Sequence, residues 1–66
     1  MIGTIRVMLA DDHAVLRAGL RALLNAQPDI EVVGEAANGD EAIRQVELLR
    51  PNVAVVDLAM PGTSGL

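Results

Sequence analysis

Two apolar runs in this chain end abruptly in carboxylates: Val7-Met8-Leu9-Ala10 leads into Asp11-Asp12, and Val53-Ala54-Val55-Val56 leads into Asp57. Short β-branched runs of this kind read as strands buried on both faces, as in a parallel sheet between helix layers. An ionisable group at the carboxyl end of such a strand lies where open α/β sheets keep their ligand crevice. Carboxylates gathered there cannot all stay ionised unaided, because like charges a few ångströms apart repel by several times thermal energy even at the effective dielectric of a protein surface. A proton or a cation must join them. Hard oxygen ligands favour Mg²⁺ over zinc or copper, and Mg²⁺ keeps waters whose places phosphoryl oxygens can take. An aspartate can also be the nucleophile, accepting a phosphoryl group as an acyl phosphate while a metal neutralises charge on the transferred oxygens.

The plainer reading makes Asp11 and Asp12 caps of the following helix and Asp57 a turn carboxylate ahead of Pro61-Gly62. Two acidic strand ends predicted to meet at one point outweigh it. His13 stands next to the acidic pair and reads as a partly exposed first-turn residue rather than a ligand or general base. Met60 reads as loop packing.

The elements that must position these groups follow from periodicity. Ile5 to Ala10 is a first buried strand, and Ala14 to Asn25 an amphipathic helix with Leu16, Leu20, Leu23 and Leu24 on one face and Arg17 and Arg21 on another. Gly19 within it suggests close approach of the helix to the sheet. Asn25, able to take a left-handed cap, and Pro28 end that helix. Ile30 to Ala36 is a second strand whose Glu31 and Glu35 mark it as an outer one. Asn38-Gly39-Asp40-Glu41 resembles a capping box, opening a helix that runs to Arg50 with Ala42, Ile43, Val46 and Leu49 inward. Pro51 stops it, and Asn52 leads into the third strand. Crossovers this long imply parallel strands with right-handed connections. With the second strand at the edge, the spatial order is 2-1-3, the helices lie on opposite faces, and Asp11, Asp12 and Asp57 converge at the switch point between strands one and three.

Composition narrows the function classes. The 66 residues suffice for one small domain at most. A formal charge of -4, with every basic residue an arginine, argues against gripping a nucleic-acid backbone. The absence of aromatic residues removes stacking platforms, and the absence of cysteine removes disulfides and thiolate metal sites. Nothing at the start reads as a signal peptide, and no apolar run approaches the roughly 18 residues of a membrane span, so the expected location is cytoplasmic, with no membrane partner.

Taken together, Leu9-Ala10-Asp11-Asp12-His13, Arg17-Ala18-Gly19-Leu20, Val33-Gly34-Glu35-Ala36, Asn38-Gly39, Glu41-Ala42, Arg50-Pro51 and Val56-Asp57-Leu58-Ala59-Met60-Pro61-Gly62 resemble the response-regulator receiver domain of bacterial two-component signalling. The resemblance covers nearly the whole chain and is nearest to the LuxR-type subfamily that precedes a helix-turn-helix DNA-binding domain. It implies a flavodoxin-like α/β fold, with residues 1–66 as the first β-α-β-α-β portion of a five-unit receiver. It further implies that Asp57 is the phosphoacceptor, taking its phosphoryl group from a sensor histidine kinase. Asp12 and Asp57 would bind Mg²⁺ directly, Asp11 through a bound water, and the Ala59 carbonyl would complete the protein ligands. DNA would be met only through an absent domain, and the protein would be a switch in transcription regulation rather than an enzyme.

A complete receiver also carries a Thr or Ser after its fourth strand and a Lys after its fifth. Thr63 and Ser64 do not match that hydroxyl position, and the sequence contains no lysine. The competing reading from another class is a Mg-dependent phosphohydrolase with an aspartyl nucleophile. Those enzymes place nucleophile and acid two residues apart on one strand end, unlike the adjacent Asp11 and Asp12. A structural interaction module is the third reading, favoured if no divalent cation binds. The edge of Val53 to Val56 carries neither charge nor proline to protect it. A polypeptide of these residues alone is therefore expected to bind the missing carboxyl-terminal half of the receiver, to pair with a second copy through that edge, or to aggregate. Sedimentation of a mass-verified sample checks this: a cooperative, monomeric unfolding transition at micromolar concentration would rule it out.

Overall fold

The computed structural model describes residues 3–57. Its elements run β1 (Ile5–Ala10), α1 (Ala14–Asn25), β2 (Ile30–Ala36), α2 (Gly39–Leu49) and β3 (Val53–Val56). The strands form one parallel sheet in the order β2-β1-β3, as the charge pattern and crossover lengths require.

Burial is concentrated in the middle strand. Val7, Met8, Leu9 and Ala10 are all buried, and Met8 and Ala10 pack with Ala36 of β2 and Ala42 of α2. The helices take opposite faces, as two neighbouring residues of β2 show. Glu35 meets Arg17 and Arg21 of α1, whereas Gly34 lies beneath Leu49 and Gln45 of α2. Consecutive strand residues point to opposite sides, so the helices do too. The β1–β2 ladder has one irregularity, where Val32 pairs with Val7 and Gly34 with Met8, leaving Val33 as the extra residue of a bulge.

Local chemistry explains the helix ends. Asn38 caps α2 by accepting a hydrogen bond from the Glu41 amide at 2.8 Å, and Glu41 reaches back to the Asn38 side-chain amide at 3.5 Å. At the other end Arg50 takes a left-handed conformation, φ 48°, ahead of Pro51. Helix α1 ends at Asn25, but not through a left-handed cap: Ala26 stays right-handed, and the Asn25 side chain instead accepts from the Val32 amide at 2.9 Å.

Several inward assignments are corrected. Strand β3 is exposed at all its positions rather than buried on both faces, because both helices lie over β1 and β2. Ile43 and Val46 of α2 and Leu16 and Leu23 of α1 are exposed, while Leu20, Leu24 and Leu49 are half-buried. A Cβ added at Gly19 would meet no other part of the fold within 4 Å, so close packing does not explain this glycine. The position where a side chain is excluded is Gly34, where an added Cβ would lie 2.5 Å from Leu49 Cδ1 and 2.7 Å from Gln45 Oε1.

Replacing Gly34 by valine should accordingly destabilise the fold by about 1–3 kcal/mol, the usual penalty for overpacking. Urea unfolding measures it. Adding Leu49→Ala should recover part of the loss, and full additivity of the two substitutions would place the obstruction elsewhere.

Candidate functional site at the carboxyl ends of β1 and β3

The register of β3 on β1 decides where Asp57 stands. Asn52 sets that register by a double hook on Arg6: its amide donates to the Arg6 carbonyl at 2.8 Å, and its side-chain oxygen accepts from the Arg6 amide at 2.8 Å. The Arg6 guanidinium adds a bond to the Arg50 carbonyl at 3.1 Å. From there Val7 pairs with Val53 and Ala10 with Val56, and the Asp57 amide donates to the Ala10 carbonyl at 2.9 Å. On the other side the Asp11 amide donates to the Ala36 carbonyl at 3.0 Å. Both carboxylate-bearing strand ends are thus tied to ladders, and Asp57 arrives beside Asp11 and Asp12.

One ligand atom from each of Asp11, Asp12, His13 and Asp57 lies within 4.8 Å of the others, close enough to share a single cation. Asp11 is buried, Asp57 half-buried and Asp12 exposed. Neither Asp11 nor Asp12 is the helix cap: His13 holds that position, and its side chain makes no capping bond. Asp11 instead folds its carboxylate back to accept the His13 amide at 2.8 Å, a local Asx-type turn.

His13 is the residue whose part the sequence understated. Its side chain is 68% exposed, as expected of a first-turn residue, yet Nδ1 lies 2.9 Å from Asp11, 3.1 Å from Asp12 and 3.9 Å from Asp57. Facing ionised carboxylate oxygens, which only accept, Nδ1 serves as the donor, and the ring becomes the cationic partner of the cluster when protonated. The hydrogen bond to Asp11, then the charges of Asp12, Asp11 and Asp57, raise its pKa above the ordinary 6.5. The His13 amide, then its ring, hold Asp11 below the ordinary 3.8. Spacing alone held the clue, since an imidazole one residue beyond two carboxylates reaches them whenever the intervening chain turns.

A second set of charges braces the site from behind. Arg17 Nε donates to Glu35 Oε1 at 3.0 Å, Arg21 Nη1 to Glu35 Oε2 at 2.9 Å, and Arg17 Nη1 to the Asp11 carbonyl at 2.5 Å. Burial pushes Glu35 upward in pKa, but the hydrogen bonds from Arg21 and Arg17 outweigh it and leave the carboxyl below its ordinary 4.5. Glu35 is therefore an ion-pair partner rather than an edge-protecting surface charge. Ala59, Met60, Thr63 and Ser64 lie outside the described residues.

The sequence profile of the response regulator receiver domain matches residues 7–66. The chain belongs to the response-regulator receiver family. It is 53% identical over 62 residues to the transcriptional regulatory protein LiaR of Bacillus subtilis, covering 94% of this chain and 29% of that protein. It is 48% identical over 60 residues to the nitrate/nitrite response regulator protein NarL of Escherichia coli K12, covering 91% of this chain and 28% of that one. A solved LuxR-family two-component response regulator from Aurantimonas superposes with a TM-score of 0.87 at 43% identity, over 96% of this chain and 45% of that structure. The flavodoxin-like β2-β1-β3 arrangement is thus that of a receiver of the NarL/LuxR type, and this receiver chain spans under a third of the curated relatives. Among the described residues, no helix is long and apolar enough to cross a membrane.

The receiver's pH dependence follows from these shifts. A group whose pKa is raised in the fold stabilises it below the unfolded value and loses that contribution as pH rises through the folded one. His13 therefore stabilises the metal-free protein below about pH 6.5, the effect fading as pH rises through its raised value. Asp11 acts oppositely, contributing above about 3.8 and losing its contribution as pH falls through its lowered value. NMR titration of the His13 ring should give a midpoint above 6.5, brought down more by Asp11→Asn than by Asp57→Asn. A midpoint at or below 6.5 would show that the imidazole does not serve the cluster.

Proposed function

We propose that residues 1–66 form the amino-terminal part of a receiver domain in which Asp57 accepts a phosphoryl group from the phosphohistidine of a sensor histidine kinase. The observation that carries this reading is the convergence of Asp57 with Asp11 and Asp12 at the ends of adjacent strands. In the transfer a carboxylate oxygen of Asp57 forms a bond to phosphorus as the bond from phosphorus to the donor imidazole breaks. The imidazole keeps the electron pair and takes up a proton, and the product on this chain is an acyl phosphate.

The carboxylate oxygens suit a hard divalent cation, and the local excess of negative charge needs one. Asp12 and Asp57 would hold Mg²⁺ directly, Asp11 through water, and the Ala59 carbonyl from beyond the described residues. Mg²⁺ would supply neutralising charge to the phosphoryl oxygens. The chain's own part is to present Asp57 from the ladder bond to Ala10 and to keep Asp11 ionised through His13.

Phosphorylation would act on transcription through a helix-turn-helix domain elsewhere in the protein, in the cytoplasm, and the protein would work as a switch rather than as an enzyme with turnover. The exposed β3 would be covered by the rest of the receiver or, failing that, by a second copy along its open edge. Neither a Mg-dependent phosphohydrolase nor a structural module has a comparable observation in its favour.

Acetyl phosphate with Mg²⁺, followed by mass spectrometry, tests the acceptor. The full chain should gain one phosphoryl group and the Asp57→Asn variant none. A polypeptide of these 66 residues should react at least about a hundredfold more slowly, since donors that stabilise transition-state charge are missing from it. Undiminished labelling of Asp57→Asn would overturn the assignment.

A further inference from the structure

We infer that Arg17 is a positioning residue for the acidic site: its guanidinium, anchored on Glu35, fixes the Asp11–Asp12 peptide and thereby the placing of Asp12. The inference rests on the proposed metal-binding role of Asp12 and adds a residue to it. A peptide group is a rigid plane, so the carbonyl oxygen of Asp11 and the amide of Asp12 turn together. Arg17 Nη1 donates to that oxygen at 2.5 Å, while Nε of the same planar group donates to Glu35 at 3.0 Å. Glu35 is itself well placed as an anchor. It pairs with Leu9 across the β1–β2 ladder, and Arg21 holds its second oxygen.

Asp12 needs such help more than its neighbours do. The Asp11 amide is tied to Ala36 and the Asp57 amide to Ala10. Among the described residues the Asp12 side chain is held only by the exposed His13 ring. The orientation of the peptide entering Asp12 is what remains to aim it, and Arg17 grips that peptide. Two donors at fixed angles on one group span the sheet and the loop together, which the point charge of lysine cannot reproduce.

Geometry and simple electrostatics predict opposite signs here. A guanidinium beside a divalent-cation site repels the ion, so on charge alone its removal tightens binding. As a positioning group its removal weakens binding, by about tenfold or more on the scale usual for partners of metal ligands. The test uses the full chain with Mn²⁺ as a paramagnetic probe, read by electron paramagnetic resonance of the free ion. Arg17→Gln and Arg17→Lys should both weaken Mn²⁺ binding about tenfold or more. Arg21→Gln removes a neighbouring cation that also holds Glu35 but has no bond to Asp11, so it loosens the anchor without freeing the peptide and should weaken binding clearly less than either Arg17 variant does.

A second measurement is independent of metal. In metal-free protein the Asp12 amide should shift and exchange faster in both Arg17 variants, while the Leu9 and Val55 amides keep their positions and so report an intact sheet. Should Arg17→Gln fail to fold, Arg17→Lys, which keeps the charge and the aliphatic stem, carries the same expectation. Equal or tighter Mn²⁺ binding in the folded Arg17 variants, or an unmoved Asp12 amide, overturns the inference. If the unaltered chain binds no Mn²⁺, the metal part of the proposed function falls, and the Asp12 amide alone decides whether Arg17 fixes the loop.

Discussion

Like charges forced together at the ends of adjacent strands are the constraint to which the rest of this fold answers. Nothing in the sheet itself favours Asp11, Asp12 and Asp57 lying side by side, and repulsion among them opposes the very register that creates the site. The structure meets this with donors drawn from nearby: the His13 amide and ring, the Arg17 guanidinium on the adjoining carbonyl, and the amino-terminal end of α1, whose dipole favours negative charge close by. These groups sit within a few residues of the carboxylates or one strand away. The site is therefore compensated locally, and a cation taking part in phosphoryl chemistry would meet a need the fold already has.

Holding charges in unfavourable proximity demands a register that cannot slip. Strand side chains alternate with a period of two, so a shift of one residue along β3 would turn Asp57 away from Asp11. The short strand has few ladder bonds with which to resist that. The Asn52 hook on Arg6 supplies the resistance at the far end of β3, where it disturbs nothing in the site, and the Asp57 amide closes the ladder at the near end. The β2 side of β1 is less regular, with its bulge at Val33, but there the helices lie over both strands and Glu35 adds its paired arginines. Register is thus set by polar hooks where packing is thin, and by packing and charge where the helices reach.

Much of this was legible in the sequence because it depends on near neighbours along the chain. Strand limits followed from β-branched runs, the start of α2 from Asn38 and Glu41, and the strand order from two glutamates on one strand and the rule for crossover handedness. What escaped depends on which element covers which. Periodicity selects a helix face without saying how far over the sheet it sits, so Ile43 and Leu23 looked like core and are exposed. Gly19 read as the site of close approach, whereas the crossing of α2 over β2 makes Gly34 that site. His13 was discounted because adjacent side chains usually diverge. The turn folded by Asp11 brings its ring back, an effect of loop geometry rather than residue type. The resemblance to receivers gave the acidic residues their roles but was silent on Arg17, whose importance lies in a bond to a backbone carbonyl.

The uneven burial of the sheet ties the chemistry to assembly. Asp11 and Asp12 rise from β1, whose last residues are buried, whereas Asp57 rises from β3, where Val53, Val55 and Val56 remain 48%, 44% and 37% exposed. Covering each of those valines would contribute on the order of 1 kcal/mol, comparable to a ladder hydrogen bond. The Asp57 side of the site thus stands on the strand with the most stabilisation still to gain, and the Asp11–Asp12 side on the strand that has already gained it. A segment that packs on β3 raises the cost of moving Asp57 relative to Asp12 without touching either carboxylate. In a domain whose carboxylates repel one another, that added stiffness opposes the separation their charges favour, so packing remote from the site and electrostatics within it act on the same coordinate.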